Sequence, residues 1–161
     1  MKLVAADADT SSLALTESSL RSVFPDAEVI CFTDAMSTYK YCLNHSGEIA
    51  AAFLPVILKP FDGIKLRGLM LTFPVRIEIV FTLREESGEL CELIESNNVR
   101  WRVVKPVTPE KVAAVAREMV SDCWEDSERC RDCALFWCDK RPNSTSARIR
   151  LEPERALSTR G

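Results

Sequence analysis

The sequence predicts an α/β domain, a doubly wound five-stranded parallel sheet with helices on both faces, followed by a C-terminal helical extension. Five short apolar runs recur within residues 1–120. Segments with helical spacing and capping residues alternate with these runs. A length of 161 residues, 47% of them hydrophobic, suits one globular domain with a real core and at most a small appendage.

The first two strands and helices are marked by apolar runs and polar caps. Residues 2–8 predict a strand, and Asp9 opens a polar cluster typical of a helix N-cap. The apolar residues of the helix that follows share one face: Leu13, Leu20 and Val23. Residues 27–33 predict a second strand, after which Asp34 can cap a helix that ends at Gly47. The apolar residues expected along that helix are Met36, Tyr39 and Leu43.

The later elements follow the same order. Residues 48–54 predict the third strand, and a proline-rich loop then leads into a helix over residues 63–71. Residues 75–82 predict the fourth strand, and residues 84–98 a helix that the pair Asn97 and Asn98 ends. Residues 99–104 predict the fifth strand. Thr108 followed by Pro109 then indicates the start of a last helix.

In sheets of this kind, ligand sites form where the carboxyl ends of the strands meet the following loops. Those loops carry the polar residues that we consider as candidates: Asp7, Asp9, Asp62, Thr82 and Lys105. The third strand runs instead into Pro55, which has neither a carboxylate nor a main-chain N–H. No glycine-rich phosphate loop competes with this arrangement.

Read in chain order, these loops resemble the receiver domain of two-component response regulators, the CheY-like fold, over residues 1–120. The most specific stretch is VVKPVTPEKV at residues 103–112, which is similar to the last strand, lysine-proline pair and final helix of a receiver. The Asp62-Gly63 turn is similar to the end of the receiver loop after the third strand. The resemblance implies a phosphorelay module with an acceptor carboxylate after the third strand and an acidic pair that helps to hold Mg²⁺.

Matched to this pattern, Asp7 takes the first acidic position, but Ala8 takes the second, and Asp9 lies one residue further on. The phosphoacceptor position falls on Pro55. Two positions match the family: Thr82 after the fourth strand and Lys105 after the fifth. The aromatic switch position, three residues before the lysine, is held by Arg102.

These departures favour a degenerate receiver, a pseudo-receiver that signals through protein contact, has no enzymatic activity and needs no Mg²⁺. A first alternative function stays open. A conventional response regulator could take the phosphoryl group on another carboxylate, Asp9 or Asp62, and control transcription. Lys105 also has two interpretations: it either forms a structural ion pair with Asp7 or binds a different anion.

Four of the seven cysteines follow the receiver-like part: Cys123, Cys130, Cys133 and Cys138. Their spacing lacks the two separated pairs of a typical zinc knuckle, and Cys130 and Cys133 lack the strand-to-helix setting of a redox motif. The spacing of Val112, Val115 and Met119 predicts that the last helix continues, so that residues 121–140 form a helical extension. Zinc binding by the four cysteines remains the less favoured alternative.

Charge and hydropathy set expectations about partners. Residues 1–139 hold 15 Lys and Arg against 22 Asp and Glu, whereas residues 140–161 hold six against two. A basic tail over residues 141–161, expected to be disordered, therefore follows an acidic body. Aromatic and apolar residues of the extension favour a protein partner or a homodimer formed through the last helices and fifth strand: Trp124, Leu135, Phe136 and Trp137. About 40 residues after the receiver-like part are few for a DNA-binding unit. The absence of a long apolar segment indicates a cytoplasmic protein.

Overall fold

A computed structural model describes residues 1–84, 92–93 and 95–125 of the chain. Its five strands are β1 Lys2–Ala6, β2 Glu28–Phe32, β3 Ile49–Pro55, β4 Glu78–Leu83 and β5 Trp101–Val104. Its helices are α1 Thr10–Val23, α2 Ala35–His45, α3 Gly63–Met70 and, at the C-terminal end, α4 Pro109–Glu125. All strand pairs are parallel, and the strand order is β2-β1-β3-β4-β5, which confirms the predicted doubly wound sheet.

The helices begin where the sequence places their caps. Asp9 accepts hydrogen bonds from the amides of Ser11 and Ser12 at the start of α1. Asp34 accepts one from the Ser37 amide at the start of α2. Each carboxylate therefore satisfies main-chain donors that have no partner within the helix.

The helix predicted over residues 84–98 lies mostly outside the described residues. Of the residues in this range that are described, 92–93 and 95–96 are helical. The predicted stop is present, because Asn98 takes a left-handed conformation with φ of 51° and its amide donates to the Glu95 carbonyl at 3.1 Å. Asparagine tolerates this conformation better than most residues.

The sheet separates two layers of buried side chains. The first core layer joins inward residues of the strands to α1 and α4, through residues such as Leu13, Leu20, Val112 and Met119. The second core layer joins the opposite face of the sheet to α2 and α3, through residues such as Ala35, Cys42, Leu66 and Met70. Both faces of the sheet are therefore covered.

Of the three apolar residues predicted along α2, only Tyr39 packs against the second core layer, where it is partly buried. The residues of α2 that are buried are Ala35, Thr38 and Cys42, whereas Met36 and Leu43 are 40% and 45% exposed. Small side chains let the helix lie close to the sheet, and the Thr38 hydroxyl is satisfied by donating to the Asp34 carbonyl at 2.7 Å. Apolar spacing gave the wrong phase because the inward residues of this helix are small or polar.

Three strand boundaries differ from the predicted ones by two residues or more. β1 ends at Ala6, before the predicted residue 8. β4 begins at Glu78 and β5 at Trp101, later than the predicted residues 75 and 99. Within the described ranges, no helix combines the length and apolar character needed to cross a membrane. The extension and tail beyond residue 125 lie outside the described residues.

Candidate functional site

Strand alternation brings four residues to one face at the carboxyl end of the sheet. Four strand residues of the first core layer lie close to that end: Ala5, Phe53, Val80 and Val103. Because strand side chains alternate with a period of two, the residues two positions later reach the same face. Those residues are Asp7, Pro55, Thr82 and Lys105. Each lies at the end of one of four adjacent strands, β1, β3, β4 and β5.

Lys105 and Asp7 form an ion pair within this group, with the lysine Nζ donating to Asp7 Oδ2. The two side chains are only 13% and 8% exposed. The other carboxylate oxygen, Oδ1, accepts from the Asp9 amide at 2.9 Å. Of the two interpretations of Lys105, the structure contains the contact that the structural ion pair requires.

The surroundings of Asp7 favour its ionised form. Burial alone would raise the pKa of this carboxyl. Hydrogen bonds from Lys105, from the Asp9 amide and from Ser12, together with the positive charge of Lys105, outweigh that effect and hold the pKa below its usual value. Asp7 is therefore a buried anion whose two oxygens both have donors.

Asp9 is exposed and serves a different role. Its Oδ1 accepts from the amides of Ser11 and Ser12 at 2.9 and 3.2 Å. Its side chain is therefore directed to the start of α1, as expected for a residue displaced by one from the acidic position. The second acidic position itself is held by the exposed Ala8. Asp62 is likewise an N-cap, which accepts from the Lys65 amide at 2.7 Å at the start of α3.

Pro55 is buried at the end of β3, where it is paired in register with Thr82 of β4. The loop that follows turns back, so that the Gly63 amide donates to the Val56 carbonyl at 2.8 Å. A Cβ added at Gly63 would lie 2.0 Å from the Pro55 carbonyl oxygen. The proline carbonyl therefore packs directly against the first residue of α3, and only glycine fits there.

Thr82 is buried, with 4% of its surface exposed. Its hydroxyl has no hydrogen-bond partner among the residues that the structure describes. Buried hydroxyls in proteins usually have such a partner. Thr82 therefore occupies its receiver-like position without a contact from its hydroxyl to Asp7 or Lys105.

Arg102, at the switch position, lies on β5 in register with Phe81, and its side chain is exposed. It thus lies on the opposite side of β5 from Val103, which belongs to the first core layer. An arginine suits this position because its charge remains in water, whereas an aromatic ring would leave apolar surface exposed.

Lys111 is a residue that sequence analysis missed. Its Nζ donates to the Val104 carbonyl at 2.8 Å and to the Pro106 carbonyl at 3.0 Å, which fixes the loop between β5 and α4. The sequence contained a signal, since a cation in the first turn of a helix opposes the helix dipole. Ser19 of α1 anchors the same loop by donating to the Val107 carbonyl at 2.9 Å.

The oxygen atoms at the site do not fit as ligands of Mg²⁺, the metal that a receiver-like site implies. Mg²⁺ prefers several oxygen ligands in near-octahedral geometry. The oxygens of Asp7 both accept hydrogen bonds, Asp9 caps α1, and Pro55 supplies no carboxylate. No group of three or more potential ligands that could hold a metal occurs within residues 1–84, 92–93 and 95–125.

The described thiols, Cys31 and Cys42, are not activated. Burial raises the pKa of the Cys42 thiol to about 12. Burial, followed by the nearby Glu17 carboxylate, raises that of Cys31 to about 11. Of the cysteines considered for zinc, Cys123 lies on α4, and Cys130, Cys133 and Cys138 lie outside the described residues. The zinc alternative stays a prediction.

Of the comparisons with known proteins, the one with solved structures supports the fold. No protein-family model matches the chain, and no curated protein matches its sequence. Among solved structures, a CheY-like receiver domain protein from Methanospirillum hungatei is 18% identical with a TM-score of 0.62, covering 78% of this chain and 97% of the other. A CheX-CheY complex with BeF3 and Mg from Borrelia burgdorferi gives 15% and 0.64, covering 74% and 88%. A receiver domain from Rhodospirillum rubrum gives 20% and 0.58, covering 74% and 90%.

Proposed function

We propose that this chain, which has the fold of CheY-like response regulator receiver domains, is a degenerate receiver that works in signal transduction through protein contact and without aspartyl phosphorylation. Pro55 carries this proposal. It occupies the buried end of β3, between Asp7 after β1 and Thr82 on β4, where a phosphorelay would need a carboxylate. A proline side chain has no oxygen to attack phosphorus.

The hydrogen-bond partners of the nearby charged side chains support the same proposal. The Lys105 ammonium is already neutralised by Asp7, and the two carboxylates considered as alternative acceptors, Asp9 and Asp62, are N-caps. Phosphoryl transfer depends on an in-line nucleophile and on charge stabilisation by metal and lysine. On this proposal the domain has no catalytic step, holds no Mg²⁺ and acts by presenting a surface.

Acetyl phosphate with Mg²⁺ tests the proposal, read by intact-protein mass spectrometry. Transfer to a carboxylate would release acetate and add one phosphoryl group as an acyl phosphate. We expect no added mass for the wild-type chain. A variant that supplies both missing carboxylates, Pro55→Asp with Ala8→Asp, is the control and is expected to gain the group. Wild-type labelling abolished by Asp9→Asn or Asp62→Asn would establish the conventional alternative instead.

We place the partner surface on α4, the extension after it and the side chains of β5. Met119 and the partly buried Val120 of α4 join the first core layer, and the helix runs on to Glu125. The predicted extension includes Phe136 and Trp137, whose aromatic side chains suit an interface better than an exposed surface. A partner protein or a second copy of the chain would cover them.

Light scattering on the full chain tests this surface. We expect Phe136→Ser with Trp137→Ser to lower the average mass if the surface forms a homodimer. Leu15→Ser, at a 52% exposed position on α1, is the control and should leave the mass unchanged. A monomeric wild-type chain would exclude the homodimer and leave a heterologous partner, whereas stoichiometric zinc in protein purified without chelator would favour the zinc-binding alternative.

A further inference from the structure

The two outermost strands of the sheet, β2 and β5, each have one side without a neighbouring strand among the described residues. In a parallel strand, the N–H and C=O of one residue point to one side, and those of the next residue point to the other. Exposed groups of this kind form a template on which another strand can add. Whether these outward N–H and C=O groups already have hydrogen-bond partners therefore decides whether the sheet can be extended.

On β2 the outward carbonyl of Val29 is already occupied. Neighbouring residues bond inward to β1, since the Glu28 amide donates to the Met1 carbonyl at 2.9 Å, and Val29 therefore faces outward. Its carbonyl accepts from Arg21 Nη2 of α1 at 3.3 Å. Arg21 is itself held by Glu17, whose Oε1 accepts from Nε and Nη2 at 2.9 and 2.8 Å.

The same arrangement occurs independently on β5. The Lys105 amide donates inward to the Leu83 carbonyl of β4 at 2.6 Å, so the preceding residue, Val104, faces outward. The Val104 carbonyl accepts from Lys111 Nζ at 2.8 Å. A second bond to the Pro106 carbonyl at 3.0 Å fixes the ammonium in place. A helix of the same layer thus supplies the cation at each edge, α1 for β2 and α4 for β5.

We propose that Arg21 and Lys111 close the two edges of the sheet against strand addition, including addition by a second copy of this chain. An incoming strand would have to displace a charge-assisted hydrogen bond at each position and place its own backbone beside a positive charge. This inference goes beyond the proposed function, because it concerns how the chain can associate. Contacts with partners then use side-chain surfaces rather than a shared sheet.

The test is the self-association of the full chain with Arg21→Met and Lys111→Met combined. Methionine keeps an unbranched apolar stem and removes the donor. Lys40→Met with Lys59→Met is the control, since both cations are exposed, both lie outside the proposed partner surface, and neither side chain donates a hydrogen bond within the described residues. We expect the edge variant to self-associate about tenfold more tightly than the wild type, whereas the control pair stays unchanged.

Hydrogen exchange distinguishes strand addition from nonspecific association. On association of the edge variant, the outward amides of Cys31 and Val104 should become protected. Equal self-association of the edge variant and the control pair, or association without protection of either amide, would overturn the proposal. If circular dichroism shows that the methionine variant is unfolded, Arg21→Gln and Lys111→Gln as single variants allow the same comparison at each edge, because the shorter side chain does not reach the carbonyl.

Discussion

Lys105, after β5, reaches Asp7, after β1, across the ends of the two strands that lie between them, and the two side chains form a buried ion pair. The residues are 98 positions apart in the chain. Of the intervening strands, β3 ends at Pro55, which is in register with Thr82, the last residue but one of β4. In a receiver-like site this lysine would pair with a phosphoryl group, whereas here Lys105 is paired with a carboxylate of the same chain.

Lys105→Met should lower the free energy of unfolding by about 3 kcal/mol, because it leaves the buried Asp7 charge without its cation. Urea unfolding at pH 7 measures the loss. The double variant with Asp7→Asn should lose less than the sum of the two single variants, because the charges interact directly. Additive losses would show that Lys105 does not depend on Asp7 and would favour the alternative of a different bound anion.

The pair should also make stability depend on acid pH. The pKa of Asp7 is lowered in the folded state, while that of an unfolded Asp is about 3.9. Ionised Asp7 therefore stabilises the fold fully above about pH 4, and this contribution disappears as the pH falls through the lower folded pKa. Urea titrations of wild type and Asp7→Asn should differ by a constant amount from about pH 5 to 8 and converge below about pH 4. A difference that grows towards low pH would contradict the assignment.

Gly63→Ala should destabilise the protein by about 1–3 kcal/mol, because the new Cβ would meet the Pro55 carbonyl oxygen at 2.0 Å and a backbone must move. Gly68→Ala in the same helix is the matched control. Its Cβ would meet no atom within 4 Å, and removing glycine from a helix interior should add about 0.5–1 kcal/mol. Thermal unfolding should show a loss of stability for Gly63→Ala and a gain for Gly68→Ala. Equal changes in stability for the two variants would contradict the close packing at Pro55.

Thr82→Val should leave stability unchanged within about 0.5 kcal/mol, because valine has the same shape and the buried Thr82 hydroxyl has no partner among the described residues. Thr38→Val is the control. The Thr38 hydroxyl is fully buried and donates to the Asp34 carbonyl at 2.7 Å, so its removal should cost about 1 kcal/mol. Chemical denaturation compares the two, and a larger loss at Thr82 would reveal a contact of its hydroxyl.

Much of the fold could be predicted because its signals are local. Caps such as Asp9 and Asp34 act on amides two or three residues away, and the apolar runs mark strands through a period of two. The position of Pro55 at the end of the third strand follows from the same pattern. The inward face of α2 could not be predicted this way, since Ala35 and Thr38 are buried by the close approach of helix to sheet rather than by their own hydrophobicity.

The order of the elements, the caps and the substitution of proline for a carboxylate follow from residue type and short spacing. Which distant groups meet depends on the tertiary structure. Strand order brings Lys105 to Asp7, the turn after β3 presses Gly63 against the Pro55 carbonyl, and helix packing directs Arg21 and Lys111 to the edges of the sheet. Residue identity gives a side chain its chemistry, but only the path of the backbone gives it a direction and a partner.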